Sequence, residues 1–314
     1  MTNQTTIRQG ENTVEITGVL AENRLEYYTS QSKKNFIRGQ FDIKTGEDEI
    51  HTVRVFSSEL KKDGTPSAGY KGFETVMNEY KSIQDVGEEE ATKVMVRSGT
   101  LEMNDYKGGD GMIRSFPQIS TFSVTRPKNG ANLEPKAELT IEGYIQSISA
   151  ETDREGEETG RIKLKLVVAL YGGAVAPFEF IAPAGDIAEH IDENWEVGQT
   201  VTVYADIINR VETKVIKQEV SFGKPKERTV TNSTREYVIT GGSDPYEEDD
   251  QKAYSAEVIK KALAEREVML DGLKDEKKDD KKKEAPKKSG FGKAVAKKEE
   301  PAKDVDVDED DLPF

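Results

Sequence analysis

The chain contains no cysteine, which excludes disulfides, thiolate zinc sites and a cysteine nucleophile. It has only two histidines, His51 and His190, in different halves of the chain. That leaves no two-histidine metal site and no Ser-His-Asp arrangement within one segment. No apolar run approaches the roughly 20 residues needed to cross a bilayer. The opening stretch, MTNQTTIRQGENTVEI, lacks the basic start and apolar run of a signal peptide, so the expected location is cytoplasmic. Gly64–Lys71 approaches a phosphate-binding loop, but Tyr70 displaces the lysine, no Ser or Thr follows, and no hydrophobic strand precedes it. No catalytic residue, metal or cofactor is expected, and the chain reads as a non-enzyme. Apolar side chains are scarce as well. Only 34% of the 314 residues are hydrophobic and 33% are charged, so part of the chain cannot bury a core.

The net charge of −15 argues superficially against a polyanionic partner. Its distribution does not. Residues 1–136 carry 18 Lys+Arg against 20 Asp+Glu, residues 137–246 carry 11 against 19, and residues 247–314 carry 16 against 21. The first part is close to neutral, and phosphate binding depends on local placement rather than the total.

A repeat organises the folded part. Val14, Ile16, Gly18 and Leu20 superimpose on Leu139, Ile141, Gly143 and Ile145, an offset of 125 residues. Each quartet reads as a strand with an internal glycine, the mark of a bulge or sharp bend. After the first come strands over 35–43 and 51–56, a short helix with Phe73, Val76, Met77 and Tyr80 on one face, then strands over 92–103 and 113–124. The second copy repeats the order with strands near 162–170 and 178–181, a helix over 183–194, and strands over 200–210 and 215–222. Three strands, a helix and two strands is the order of the OB-fold, a five-stranded Greek-key barrel. The expected fold is all-β with minor helix, built from two tandem OB-folds. Their expected extents are 11–127 and 136–225, after a loose N-terminus at 1–10. Residues 226–270 form a strand-like and helical extension, with Tyr254, Val258, Ile259, Ala262 and Leu263 on one helical stripe. Residues 271–303 read as a disordered, lysine-rich linker and 304–314 as an acidic tip.

OB-folds that hold single strands combine a basic groove with aromatic side chains on which bases stack. The groove crosses strands two and three and is flanked by two loops. In the first copy the first loop offers Tyr27, Tyr28, Lys33 and Lys34, and the outward strand positions offer Phe36, Arg38, Arg54 and Phe56. The last hairpin offers Tyr106, Lys107, Arg114 and Phe116. Phe36 and Phe56 have the parity opposite to Ile37, Phe41, Val53 and Val55, so they face out and want a flat partner, or else pack under a loop or against the second domain. In the second copy the first loop, 151–158, is acidic and would repel phosphates, which assigns strand binding to the first domain.

The chain ends in six acids within residues 304–311, then Leu312-Pro313-Phe314. Such a run cannot fold alone, but an apolar tip on acids suits capture by a basic-rimmed pocket. Its last residues, Asp308, Glu309, Asp310, Asp311, Leu312, Pro313 and Phe314, resemble the acidic C-terminal tip of bacterial-type single-stranded DNA-binding proteins. In that family the tip ends in acids, an aliphatic residue, Pro and Phe, and recruits replication and repair enzymes. The resemblance implies a protein that coats exposed single-stranded DNA and delivers replication, recombination and repair enzymes through its tip. Two barrels rather than one suggest a bacteriophage origin (hence the host cytoplasm) and leave a homo-oligomer open. The alternative is an OB-fold adaptor that binds protein and no nucleic acid.

Overall fold

The structure, a computed structural model, describes residues 7–128, 133–218, 226–247 and 249–275. It contains two closed five-stranded barrels. The first runs β1 (Asn12–Thr29), β2 (Asn35–Gly46), β3 (Glu49–Ser58), helices α1 (Ala68–Glu79) and α2 (Ile83–Val86), β4 (Lys93–Lys107) and β5 (Ile113–Thr121). Antiparallel pairs β1–β2, β2–β3, β1–β4 and β4–β5 are closed by a short parallel pairing of β3 with β5, Val53 beside Ile119. The second runs β6 (Lys136–Thr152), β7 (Glu158–Ala169), β8 (Val175–Ala182), α3 (Asp186–Asn194), β9 (Thr200–Gln218) and β10 (Lys226–Gly242), closed by Val238 of β10 beside Ile181 of β8. Strand order, helix position and closure are those of the OB-fold in both halves.

The glycines shared by the two copies are required by space. A Cβ on Gly18 would stand 2.3 Å from the Lys44 carbonyl oxygen, and one on Gly143 would stand 2.9 Å from the Leu166 Cβ. Each sits where the first strand coils onto its neighbour. The barrels join through those same strands, β1 pairing antiparallel with β6. Val14 faces Leu139, its own counterpart in the repeat, while Asn12–Ile141 and Ile16–Ala137 are equivalent pairs. The seam therefore has an internal two-fold about Val14 and Leu139, an isologous contact within one chain. Buried side chains of both barrels form one apolar core across it.

Four expectations are corrected. Residues 7–10 are not loose: Ile7 is buried, the Gly10 amide donates to the Ala169 carbonyl (3.4 Å), and Arg8 pairs with the nearly buried Glu142. The last strands of the second barrel are not 200–210 and 215–222. Thr200–Gln218 is one continuous strand and its partner is Lys226–Gly242, because Ile239 is buried in the core and Thr213, Lys214 and Val215 keep the ladder going. Residues 226–242 thus belong to the barrel rather than to an extension. Helix α4 (Ala256–Asp275) extends beyond residue 270, into the expected linker. It buries the expected stripe, with Tyr254 and Ile259 inside and Val258, Ala262 and Leu263 against Ile7, Val167 and Val175. The linker beyond Asp275 and the acidic tip lie outside the described residues.

Candidate nucleic-acid interface

The outer face of β1, β2 and β3 is built from rows of paired residues. Tyr28 lies beside Phe36 and Ser58, Glu26 beside Arg38 and Phe56, Arg24 beside Gln40 and Arg54, and Glu22 beside Asp42 and Thr52. A groove of about 480 Å³ opens over these rows, lined by Tyr28, Phe36, Arg38, Gln40, Arg54 and Phe56 among others. Its aromatic floor is continuous. Phe36 stacks on Phe56 with ring centroids 5.0 Å apart and planes 29° off parallel, and Tyr28 tilts against Phe36 at 6.3 Å. The Arg38 guanidinium lies 3.9 Å over the Tyr28 ring.

The cations are held in different ways. Arg24 is committed to structure: its guanidinium makes a two-pronged pair with Asp42 (2.8 and 2.9 Å) and also meets Glu22. Arg38 pairs with Glu26 (2.8 Å), an exposed carboxylate that a phosphate can replace. Arg54 makes one long hydrogen bond to Gln118 (3.4 Å) and no ion pair among the described residues. Across β5, the Gln118 and Ser120 side chains donate to Glu102 (3.4 and 2.6 Å).

The sequence-derived residues fall in the groove, in the turn 30–34 and in the last hairpin, with Tyr27 apart from all three. Tyr28, Phe36, Arg38, Arg54 and Phe56 are brought together in the groove. Phe36 keeps the expected outward parity but is only 2% exposed, because Tyr28 and Phe56 cover it. It supports the floor rather than offering a bare ring, and Phe56 is the more open of the two. Tyr27 and Tyr28 are not in a loop, since β1 runs through Thr29. Tyr27 consequently turns away from the groove and meets Tyr70 of α1 at 6.4 Å. The loop itself is the tight turn 30–34, with Lys33 at φ 63° and both Lys33 and Lys34 exposed. In the last hairpin Tyr106 and Phe116 meet edge to face at 5.7 Å and are 40% and 44% exposed. Arg114 pairs within that hairpin to Asp110 (2.6 Å), whose carboxyl is held below its usual range by the Met112 amide and by Arg114. Lys107 donates to the Lys274 carbonyl of α4. Arg24, Glu26, Gln40 and Gln118 were missed. The alternation that carries the first two continues past Leu20, but a bulge between Leu20 and Glu22 shifts its register.

The corresponding face of the second barrel differs. Arg161 and Lys163 of β7 both approach Glu151 (3.4 and 3.9 Å), and Arg161 also pairs with Glu236 (2.6 Å). Its one ring contact among the described residues, Phe180 with Tyr237, packs against the core. Among the described residues no group of His, Asp or Glu could hold a metal ion, and no helix is long and apolar enough to cross a membrane.

A family model described as YorF matches residues 11–278. No curated protein matches the chain. Among solved structures, the chain is similar to the wild-type single-stranded DNA binding protein from Thermus aquaticus, at 13% identity and TM-score 0.48, over 78% of this chain and 97% of that one. A deletion mutant of the Thermus aquaticus protein aligns at 15% identity and TM-score 0.46, over 78% and 99%. A Replication Protein A heterotrimer bound to ssDNA aligns at 9% identity and TM-score 0.21, over 85% and 70%.

Proposed function

The chain belongs to the YorF family, and we propose that it is a non-catalytic single-stranded DNA-binding protein whose first barrel holds the strand. The observation that carries this reading is the open groove in which the Tyr28–Phe36–Phe56 floor adjoins Arg38 and Arg54. Stacked bases need flat rings of any sequence preference, and phosphates need cations that are not already committed. Phe56 supplies an accessible ring over a buried one, Arg54 supplies a cation without an ion pair among the described residues, and Arg38 supplies one that lies over the Tyr28 ring and pairs with the exposed Glu26. In this reading the second barrel, with Arg161 and Lys163 drawn to carboxylates on its matching face, supports the first. The acidic tip, Asp308 to Phe314, serves as the docking peptide for replication, recombination and repair enzymes.

Fluorescence anisotropy with labelled oligo-dT tests the reading. The full chain should bind at low salt, and Phe56→Ala should weaken binding by about 1–3 kcal/mol, one stack. A chain ending at Lys303 should bind as well or better, since it loses like charge to the strand. Absence of binding at low salt would sink the proposal and favour a protein-binding adaptor.

A further inference from the structure

Helix α4 spans both barrels. Ile259 in its first turns and Tyr254 just before it are buried against the second barrel, and its later turns reach the β4–β5 hairpin of the first. There Arg266 donates to Asp105 of β4 at 2.6 Å, with only 11% and 8% of the two side chains exposed. The other prong of Arg266 reaches the Val175 carbonyl of β8 (3.4 Å), so one guanidinium ties hairpin, helix and second barrel together. Lys107, two residues on, donates to the Lys274 carbonyl in the last turn of the helix. A nearly buried charge pair does little for net stability, but it fixes geometry because neither partner tolerates losing the other.

Beside this tie lie the two exposed rings of the hairpin, Tyr106 and Phe116. Tyr106 adjoins Asp105 in sequence, and Phe116 faces Asn104 across the ladder. On β5, Phe116 shares a face with Gln118, the residue that Arg54 of the groove touches. The parallel register of β3 and β5 sets Phe116 level with Ile50, six residues along from Phe56, or on the order of 20 Å. We infer that Tyr106 and Phe116 form a second stacking station on the same strand path, and that Arg266 is its positioning residue, acting from α4 through Asp105. The inference rests on the strand-binding reading and extends it: affinity should rise with strand length in a step that depends on a residue remote from the groove.

The test compares labelled dT strands of about 5 and about 12 nucleotides, within the span of one OB-fold site, on the full-length protein. In Arg266→Gln the longer strand should lose about tenfold in affinity while the shorter stays within about twofold. Arg266→Lys, which keeps a charge for Asp105, should restore most of the difference. Tyr106→Ala/Phe116→Ala should reproduce the length-selective loss with α4 intact. Wild-type length dependence in Arg266→Gln would overturn the inference, and so would an equal loss on both strands, the mark of a general structural defect. Failure of the wild-type chain to bind either strand would instead remove the strand-binding reading itself.

Discussion

His51 sits on the inner side of β3, 1% exposed, with Nε2 hydrogen-bonded to the Thr45 hydroxyl (2.9 Å) and Nδ1 without a partner among the described residues. Burial lowers its pKa to about 4, so the ring is neutral in the fold at pH 7. Unfolded, it titrates near its ordinary value of about 6.5. Between those values the unfolded chain holds more protons, so stability falls as pH drops through the window. Between pH 7 and 5 the loss from this residue should be about 2 kcal/mol. Denaturant melts of the wild type and His51→Gln at both pH values check it, and an equal loss in the two proteins would refute it. Phe36 makes a different point about single residues. Parity placed it correctly on the outer face, yet its exposure depends on Tyr28 and Phe56, which arrive from other strands. Alternation reads the direction of a side chain and is silent on what covers it.

At the level of the strands, the glycine in each first strand separates two kinds of crowding. Alanine at 18 would press on a backbone carbonyl of β2, whereas alanine at 143 would meet the Leu166 side chain first. Backbone locked in a ladder yields less readily than a side chain. Gly18→Ala should therefore cost more than Gly143→Ala, on the scale of about 1–3 kcal/mol for overpacking, as read by thermal melting of each variant. The reverse order would show that the first strand coils less tightly than its register implies. These glycines were legible in the sequence because the repeat aligned them. The ends of the elements were less so. β1 carries Glu22, Arg24 and Glu26 where an outward face meets no core, and β9 runs through Val211–Lys214, where polar residues suggested a break. The ladder pairs Tyr28 with Phe36 and Lys214 with Val230, which extends both strands.

For the molecule as a whole, a net charge of −15 coexists with the proposed strand-binding groove only if binding answers to local cations. Lys33, Lys34, Arg38 and Arg54 line or flank the groove. If all four meet phosphates, log affinity for single strands should fall with log salt at a slope near −3, and Arg54→Met should flatten it by about 0.7. A slope unchanged in Arg54→Met would exclude that residue from the phosphate path. Periodicity, glycine spacing and the absence of cysteine and of long apolar runs were enough to read two OB barrels. Those properties are local, set by neighbours two to four positions away in the chain. The two-fold seam between β1 and β6, the covering of Phe36, the turning of Tyr27 onto Tyr70 and the bond from Arg266 to Asp105 were settled by folding. Each joins residues on different elements, from the 8 positions between Tyr28 and Phe36 to the 161 between Asp105 and Arg266. Such contacts leave no period in the chain, because it is packing that brings their two ends together.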